Sequence, residues 1–285
     1  MNNLHIVVPT FNRSQILLRF LENLSRQSYK KFTTVVVDDG STDDTAEKLS
    51  AIDDPRLIIL HMENGGVSAA RNFAVENSCG SYIALLDSDD EWLPEKLEKQ
   101  LEFMESEGLE ISQTDEIWIR KGKRVNQCKK HEKPEGFFFE RSLAMCMVSP
   151  SCVMFTRKFR ETVGAFDERM AACEDYDLWL RGSMFPVGLL RERLTVKHGG
   201  RDDQLSNSVG CLDLYRMYSI AKLLASSKLD AGQRKSALAE LERKSGYFCG
   251  GCRKRDKVNL AKKIEQLVSD VVEGRDFDSV NFLED

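Results

Sequence analysis

The chain of 285 residues is 41% hydrophobic and 31% charged, a composition typical of a globular protein that buries a sizeable core. Its length allows one large α/β domain with an appendage, or two small domains. The formal net charge of −5 is too mild for a general nucleic-acid-binding protein, so we expect no nucleic-acid partner.

Hydrophobic runs are short throughout the chain. No stretch of 18 apolar residues is present, so the sequence predicts no transmembrane helix. The first residues have neither the basic region nor the long apolar core of a signal peptide. We therefore expect a cytoplasmic protein.

The eight cysteines are scattered along the chain. In a reducing compartment most of them should be free thiols that pack as small hydrophobic side chains. Only Cys249 and Cys252 have the spacing of a metal or redox pair. They lack a second Cys or His pair nearby and do not follow a strand in a βαβ pattern, which favours a structural role.

The first hundred residues alternate between apolar strands and helical patterns. Strands are predicted at residues 4–8, 32–37, 57–61 and 82–86. Helices are predicted at 14–27, from the turn after residue 39 to residue 49, and at 69–77. Such alternation, with short loops rich in Gly and Asp, indicates a parallel sheet covered by helices.

A polar loop follows each of these four strands, at residues 9–12, 38–41, 63–66 and 87–90. Because the carboxyl ends of parallel strands meet at one edge of a sheet, the side chains of these loops should converge. The sequence therefore predicts a binding site at that edge.

The fourth loop, Asp87-Ser88-Asp89-Asp90, places three carboxylates directly after a buried strand. Carboxylate oxygens suit Mg²⁺ or Mn²⁺ that is also held by substrate phosphates. An Asp-x-Asp at a strand end can therefore hold a metal ion against a diphosphate. The alternative is a capped helix start, because Pro94 and several acidic residues follow.

The pattern changes after about residue 109. A hairpin is predicted at 117–123, a helix at 139–147, a strand at 151–156, a helix from about 174, and a strand at 189–196. After residue 199 the chain is predicted to be mostly helical.

Five segments occur in a fixed order: Ile-Val-Val-Pro-Thr-Phe-Asn-Arg at 6–13, Val-Asp-Asp-Gly-Ser at 37–41, Gly-Val-Ser-Ala-Ala-Arg-Asn at 66–72, Asp-Ser-Asp-Asp at 87–90 and Glu-Asp-Tyr-Asp-Leu-Trp-Leu at 174–180. In order and spacing they resemble the family 2 glycosyltransferases. The resemblance implies a GT-A fold, a Rossmann-like mixed sheet flanked by helices, over residues 1–205. Residues 1–108 would bind the nucleotide sugar, 109–205 the acceptor, and 206–285 would form a helical extension.

The resemblance also implies the reaction: inverting transfer of a sugar from a UDP- or dTDP-sugar to a saccharide or lipid-linked acceptor, in the assembly of envelope polysaccharide or lipopolysaccharide. Mn²⁺ or Mg²⁺ would be bound by Asp89, with Asp87 nearby, and would neutralise the charge of the leaving diphosphate. His198 would be a third metal ligand, or else a surface or acceptor-site histidine.

Donor contacts follow from the same resemblance. The loop after the first strand would surround the base and ribose, one carboxylate of the second loop would bind the base, and an arginine would face the diphosphate or the base. The implied contacts are Pro9, Thr10, Phe11, Arg13, Asp38, Asp39, Arg71, Asp87 and Ser88. Simpler roles remain open: helix capping for Asp38 and Asp39, a hydrophobic staple for Phe11, and a solvated surface position for Arg71.

Inversion requires a base that takes the proton of the acceptor hydroxyl. The family motif assigns this role to Asp175, with Glu174 binding the acceptor or orienting neighbouring groups. The alternative is that both residues are first-turn acids that stabilise a helix dipole.

Two other classes of protein share parts of this pattern. One is a catalytically inactive GT-A-like module that binds nucleotide sugars. The other is a different nucleotide-diphosphate transferase, which usually has a Gly-rich, basic loop after the first strand, unlike Pro9-Thr10-Phe11-Asn12.

Residues 211–263 carry 13 Lys and Arg against 5 Asp and Glu. Apolar residues accompany them: Leu223, Leu224, Leu238, Leu241, Phe248, Leu260, Ile264 and Leu267. One interpretation is a helical subdomain packed on the catalytic sheet. The other is peripheral docking on an anionic surface at the inner face of the membrane.

Overall fold

A computed structural model describes residues 3–200, 211–226, 228–275 and Leu283. Within these residues nine strands form one mixed sheet in the order β3-β2-β1-β4-β8-β6-β9-β5, with β7 paired to β6. The strands are β1 Leu4–Thr10, β2 Phe32–Asp39, β3 Leu57–Met62, β4 Tyr82–Leu85, β5 Glu91–Trp92, β6 Ile111–Arg120, β7 Lys123–Val125, β8 Val153–Thr156 and β9 Val187–Gly199.

Ten α-helices are described in the same residues. They are α1 Leu17–Ser25, α2 Thr45–Ser50, α3 Gly66–Glu76, α4 Lys96–Glu107, α5 Phe139–Ala144, α6 Arg157–Val163, α7 Glu174–Gly182, α8 Leu212–Ala225, α9 Ala231–Arg253 and α10 Val258–Val272. The predicted boundary between residues 205 and 206 lies outside the described residues.

Four parallel strands form one half of the sheet. β1 lies between β2 and β4, so that Val7 is opposite both Val35 and Leu85. Val7 packs in the core that α3 covers, whereas Ile6 and Val8 face the core of α1 and α4. Because helices cover both faces, β1, β2 and β4 are mostly buried, whereas β3 at the edge of the sheet stays partly exposed. The predicted parallel sheet is confirmed, and its four strand ends meet at one edge.

The other half of the sheet mixes strand directions. β8 is antiparallel to both β4 and β6, while β9 is parallel to β6. The predicted hairpin is present as β6 and β7, but β6 begins earlier, at Ile111. The register between β6 and β9 shifts on either side of Asp115, as at a β-bulge. β9 runs on to Gly199 and returns to the edge where β4 ends.

The segment after Asp90 is a strand before it is a helix. Glu91 and Trp92 pair with β9, and the Asn23 side-chain amide accepts from and donates to the Trp92 backbone at 2.9 Å in each bond. Helix α4 begins only at Lys96. The alternative of a capped helix start is therefore wrong, because β5 separates the acidic loop from α4.

The C-terminal helices α8, α9 and α10 pack against α5 and α7. Their shared core includes Leu143 of α5 and Tyr176 and Leu180 of α7. All eight apolar residues noted in the sequence contribute to this core, as do the buried free thiols of Cys249 and Cys252. The extension therefore packs on the helix that carries Glu174 and Asp175 rather than on the sheet. In the described part of the chain, no helix has the length and apolarity needed to cross a bilayer.

A buried lysine marks the start of α4. The Lys96 side chain is 0% exposed, and its Nζ has no hydrogen-bond partner among the described residues. Nζ lies 3.6 Å from the centroid of the Trp92 ring. Burial lowers the pKa of Lys96 to about 7, because an ammonium group loses its hydration in the core.

We expect Lys96→Met to be more resistant to urea than the wild type at pH 7. In the unfolded chain the pKa of Lys96 is near 10.5. Between pH 10.5 and pH 7 the unfolded chain therefore carries a proton on Lys96 that the wild type must lose when it folds. The stability of the wild type relative to the variant should fall as the pH falls through this window, and level off below it. Urea midpoints of both proteins at several pH values measure this, and a constant difference from pH 7 to 10 would contradict it.

Candidate active site

A cavity of about 630 Å³ opens at the carboxyl edge of β1, β2 and β4. The first turn of α7, the end of β9 and the start of α8 also contribute to its walls. The predicted site residues that line it are Pro9, Thr10, Phe11, Arg13, Asp39, Arg71, Asp87, Ser88, Asp89, Glu174, Asp175 and His198. Asp38 lies outside this lining. The cavity thus gathers side chains that are far apart in the sequence.

The loop after β1 is tied to the loop after β2. Asn12 has a left-handed backbone conformation, with φ 51°. Its Oδ1 accepts a hydrogen bond from Thr42 N, and its backbone N donates to Ser41 Oγ, both at 2.8 Å. Phe11 is left 42% exposed in the cavity lining, so it is not a hydrophobic staple. The buried Thr10 hydroxyl has no partner in the described protein atoms and can bond to a ligand.

The two carboxylates at the end of β2 point to different neighbours. Asp39 accepts hydrogen bonds from Gly65 N at 2.8 Å and Gly66 N at 2.9 Å, and so holds the loop that starts α3. Asp38 is buried, with Oδ2 3.3 Å from Nδ1 of His61. Neither caps α2, which begins at residue 45 without a side-chain cap. Asp39 is therefore the carboxylate of this pair that faces the cavity.

Arg71 links the two sides of the cavity floor. Its Nη2 donates to Asp87 Oδ1 at 2.7 Å, and its Nη1 donates to Glu174 Oε1 at 2.6 Å. Its side chain is only 3% exposed, so the solvated surface role is wrong. Burial would lower the pKa of Arg71, but the charges of Asp87 and Glu174 outweigh burial and raise it. Arg71 thus fixes α3, the loop after β4 and α7 relative to one another.

We expect Arg71→Met to lower the free energy of unfolding by about 3–5 kcal/mol, because the variant leaves the buried Glu174 carboxylate without its counter-charge. The double variant Arg71→Met/Glu174→Gln should recover part of this loss, since the amide carries no charge. Urea denaturation of the wild type, both single variants and the double variant measures the effect. Additive losses in the double variant would show that the two residues are not coupled.

Asp90 joins β9 to the acidic loop. Its Oδ2 accepts a hydrogen bond from Ser151 Oγ at 2.6 Å, and its Oδ1 accepts one from the His198 backbone N at 3.1 Å. The His198 ring lies in the cavity with Nε2 3.0 Å from Glu91 Oε1, although the angle is not that of a hydrogen bond. Asp90 therefore positions His198 through the backbone.

The carboxylates in the cavity suit a metal ion that binds together with a diphosphate. Asp87 and Asp89 both line the cavity, and Mg²⁺ is commonly held by one or two carboxylates while substrate phosphates and water complete its shell. Among the described residues, no three His, Cys, Asp or Glu side chains are already grouped to hold a metal ion. Asp87 also shares one oxygen with Arg71.

Asp175 lies in the first turn of α7, half-buried at the cavity. Its Oδ1 accepts from Tyr176 N at 2.7 Å, and its Oδ2 accepts from Cys146 Sγ at 3.3 Å. Burial, reinforced by the Asp175 charge, raises the pKa of the Cys146 thiol, so the thiol keeps its proton and remains a donor. Cys173, just before α7, has φ 60°, an uncommon conformation for a non-glycine residue.

The cavity also contains residues that the sequence patterns do not identify. Cys146, Lys197, Leu212 and Arg216 are among them. Lys197 donates to Ser149 Oγ at 2.7 Å. Leu212 and Arg216 lie on α8, Cys146 lies two residues after α5, and Lys197 lies on β9. None of them belongs to the five sequence segments, so only the folded chain shows that they are close together.

Residues 5–163 match the family model described as glycosyl transferase family 2. An uncharacterized glycosyltransferase of Rickettsia felis is 35% identical over 182 residues, which cover 61% of this chain and 29% of that protein. The UDP-Glc:alpha-D-GlcNAc-diphosphoundecaprenol beta-1,3-glucosyltransferase WfaP of Escherichia coli is 30% identical over 177 residues, covering 61% of this chain and 68% of WfaP. The chain therefore spans under a third of the Rickettsia protein's length.

Solved structures share the fold. TarS 1-349 of S. aureus, crystallised in complex with UDP-GlcNAc, superimposes with a TM-score of 0.74 at 19% identity, covering 99% of this chain and 90% of that one. The mannosyltransferase PcManGT from Pyrobaculum calidifontis, in complex with GDP-Man and Mn²⁺, gives a TM-score of 0.59 at 15% identity, covering 98% and 85%.

The curled mixed sheet, with its cavity at the edge where the parallel strands end, is the GT-A fold of glycosyltransferases. The family model covers more than half of the sequence. The chain belongs to glycosyl transferase family 2.

Proposed function

We propose that the protein transfers a sugar from a UDP- or dTDP-sugar to an acceptor hydroxyl, with inversion at the anomeric carbon. The observation that carries this proposal is that one cavity contains both Asp89, in the loop after β4, and Asp175, at the start of α7. A transfer reaction needs these two functions side by side: acids that hold a diphosphate through a metal ion, and a base for the acceptor.

The donor would lie along the parallel edge of the sheet. The exposed Phe11 ring offers a face for a nucleobase, and the Thr10 hydroxyl, which has no partner among the described protein atoms, offers a hydrogen bond. TarS binds UDP-GlcNAc, and the name of WfaP includes UDP-Glc, which favours a uridine donor here. Pro9, Arg13, Asp39 and Ser88 would complete the contacts.

A divalent metal ion, Mn²⁺ or Mg²⁺, would be held by Asp89 with the help of Asp87, and would supply positive charge for the departing diphosphate. PcManGT contains Mn²⁺, and imidazole at His198 would also suit Mn²⁺. Arg71 keeps Asp87 in place through its 2.7 Å ion pair rather than contacting the diphosphate through a free guanidinium group.

Asp175 would act as the base. As the acceptor oxygen bonds to the anomeric carbon, the bond from that carbon to the diphosphate oxygen breaks and its electron pair leaves with the nucleoside diphosphate. The hydroxyl proton passes to Asp175. The Cys146 thiol restrains one oxygen of this carboxylate, at 3.3 Å, and the neighbouring Glu174 is fixed by Arg71.

The proposed acceptor is a saccharide or lipid-linked saccharide of an envelope polysaccharide or lipopolysaccharide. The names of WfaP and of WcaA from Escherichia coli K12, a putative colanic acid biosynthesis glycosyl transferase, support this setting. We place the protein in the cytoplasm, at the inner face of a membrane where the acceptor is lipid-linked.

Release of nucleoside diphosphate from a panel of UDP-, dTDP- and GDP-sugars, with Mn²⁺ and with a chelator, tests this function. We expect release from a UDP- or dTDP-sugar that depends on the metal ion. A protein that binds these donors but releases no diphosphate with any saccharide acceptor would be a binding module. Formation of a nucleotide sugar from a sugar phosphate would instead identify a nucleotidyltransferase.

A further inference from the structure

Helix α8 brings a cation into the cavity beside α7. Leu212 and Arg216 of α8 line the cavity together with Asp175. The Cys173 thiol contacts the Leu212 carbonyl at 3.8 Å, so the start of α8 is held next to the residue that precedes α7. The family match ends at residue 163, and α8 therefore adds to the cavity a wall that the family model does not cover.

Arg216 retains capacity to bind an anion. Its Nη1 donates to Asp213 Oδ1 at 3.0 Å, and the same oxygen lies 3.5 Å from Nζ of the buried Lys244. Lys244 Nζ also lies 3.3 Å from Glu240 Oε1, so Asp213 is the carboxylate that Arg216 and Lys244 both contact. The Nε of Arg216 is buried without a hydrogen-bond partner in the described part of the chain. An unpaired buried donor is unfavourable, so an oxyanion that accepts from it would gain affinity.

Arg216 lies in the same cavity lining as the proposed base, Asp175. A chain of contacts runs from Asp87 through Arg71 to Glu174 at the start of α7. α8 joins this helix at Cys173, one residue before Glu174. The helix that carries Arg216 is therefore attached to the start of α7, where the proposed base lies next to Glu174. A group bound by Arg216 would be part of the molecule that Asp175 deprotonates.

We propose that Arg216 binds an anionic group of the acceptor, a phosphate or a carboxylate, and thereby makes an anionic saccharide the preferred acceptor class. This inference rests on the proposed function, because it needs Asp175 to face the acceptor. The planar guanidinium group matches the two oxygens of a phosphate or carboxylate.

Isothermal titration calorimetry, with the donor part of the cavity already occupied, tests the proposal by measuring the affinity for small acceptor-like probes. UDP and Mn²⁺ are bound first, so that phosphate probes cannot occupy the diphosphate position. The probes are glucose 1-phosphate, glucuronic acid and methyl glucoside, titrated into wild type, Arg216→Gln and Arg216→Lys. The matched control is Lys235→Gln, which removes the same charge from an exposed position on α9. Thermal melting checks that each variant is folded.

We expect the wild type to bind glucose 1-phosphate or glucuronic acid about tenfold more tightly than Arg216→Gln does, with Arg216→Lys between them and Lys235→Gln like the wild type. The tighter of the two anionic probes identifies phosphate or carboxylate as the group. Equal affinity of wild type and Arg216→Gln for both anions, or no preference of the wild type for either anion over methyl glucoside, would overturn the proposal. If UDP does not bind, dTDP replaces it in the same titrations, and failure of both to bind the wild type would instead contradict the proposed donor.

Discussion

Asp175→Asn is expected to lower kcat by roughly 10²–10⁴, the usual contribution of a positioned general base. Asparagine has the size and shape of aspartate, but it cannot accept the acceptor proton. The substitution leaves Arg71 paired to both Asp87 and Glu174, so the floor of the cavity should keep its arrangement. Affinity for the nucleotide sugar should barely change, because the base acts on the acceptor. Steady-state kinetics with donor and acceptor varied separately measure both effects.

The matched control for this substitution is Asp53→Asn, which changes an exposed carboxylate outside the cavity lining and should leave kcat unchanged. An Asp175→Asn protein with full kcat would remove Asp175 from the role of base. So would a variant whose only defect is weaker donor binding, since that result would place the carboxylate on the donor side.

The second large effect is expected at Asp89. Asp89→Ala should abolish turnover and weaken binding of the nucleoside diphosphate, while the protein remains folded. The physical reason is that the leaving group departs with negative charge, which a metal ion held by this carboxylate would neutralise. Kinetics, UDP titration with and without Mn²⁺, and thermal melting of Asp89→Ala and of the control Asp53→Ala provide the measurements.

Asp87→Ala is a less clear test of the same role. That substitution also frees one end of Arg71, which is paired with Asp87 at 2.7 Å, so lost activity would combine lost metal binding with a disturbed cavity floor. Normal turnover by Asp89→Ala in a chelator would show that the metal role is wrong. Turnover by Asp89→Ala that excess Mn²⁺ restores would support it.

Much of the parallel half of the sheet could be predicted from the sequence. Strands such as β1 are buried on both faces, and this leaves a continuous apolar run that ends in a polar loop. The convergence of the four loops then follows from parallel topology alone. The start of α4 could not be predicted in this way, because β5 depends on Asn23, almost seventy residues earlier in the chain, bonding to the Trp92 backbone.

The pairing of charged side chains inside the cavity could not be predicted from the sequence. Arg71 and Glu174 are 103 residues apart in the sequence, yet their side chains form an ion pair at 2.6 Å. Neither local motif indicates that these two residues pair with each other. Cys146 carries no motif, and a single cysteine in a reducing compartment predicts only packing. Arg216 is one of thirteen cations in residues 211–263, and composition cannot distinguish it from those on the surface.

For the C-terminal helices, too, the sequence could not show what their apolar residues contact. Their apolar residues fit either internal packing or a membrane face, because amphipathic spacing is the same for both. Only the contacts with Leu143 of α5 and with Tyr176 and Leu180 of α7 show that these two helices cover the apolar face. This packing also explains how the extension can influence the site, since it supports the helix that begins with Glu174 and Asp175.

The most direct test of the proposed reaction is the configuration of its product. Proton NMR of a reaction containing an α-linked UDP-sugar, Mg²⁺ and a saccharide acceptor follows the anomeric signals of donor and product while UDP is formed. We expect the donor signal to be replaced by that of a β-linked product in step with UDP release, and Asp175→Asn to slow both equally. An α-linked product, or the absence of nucleoside diphosphate formation from every UDP- and dTDP-sugar, would contradict inverting transfer at this site.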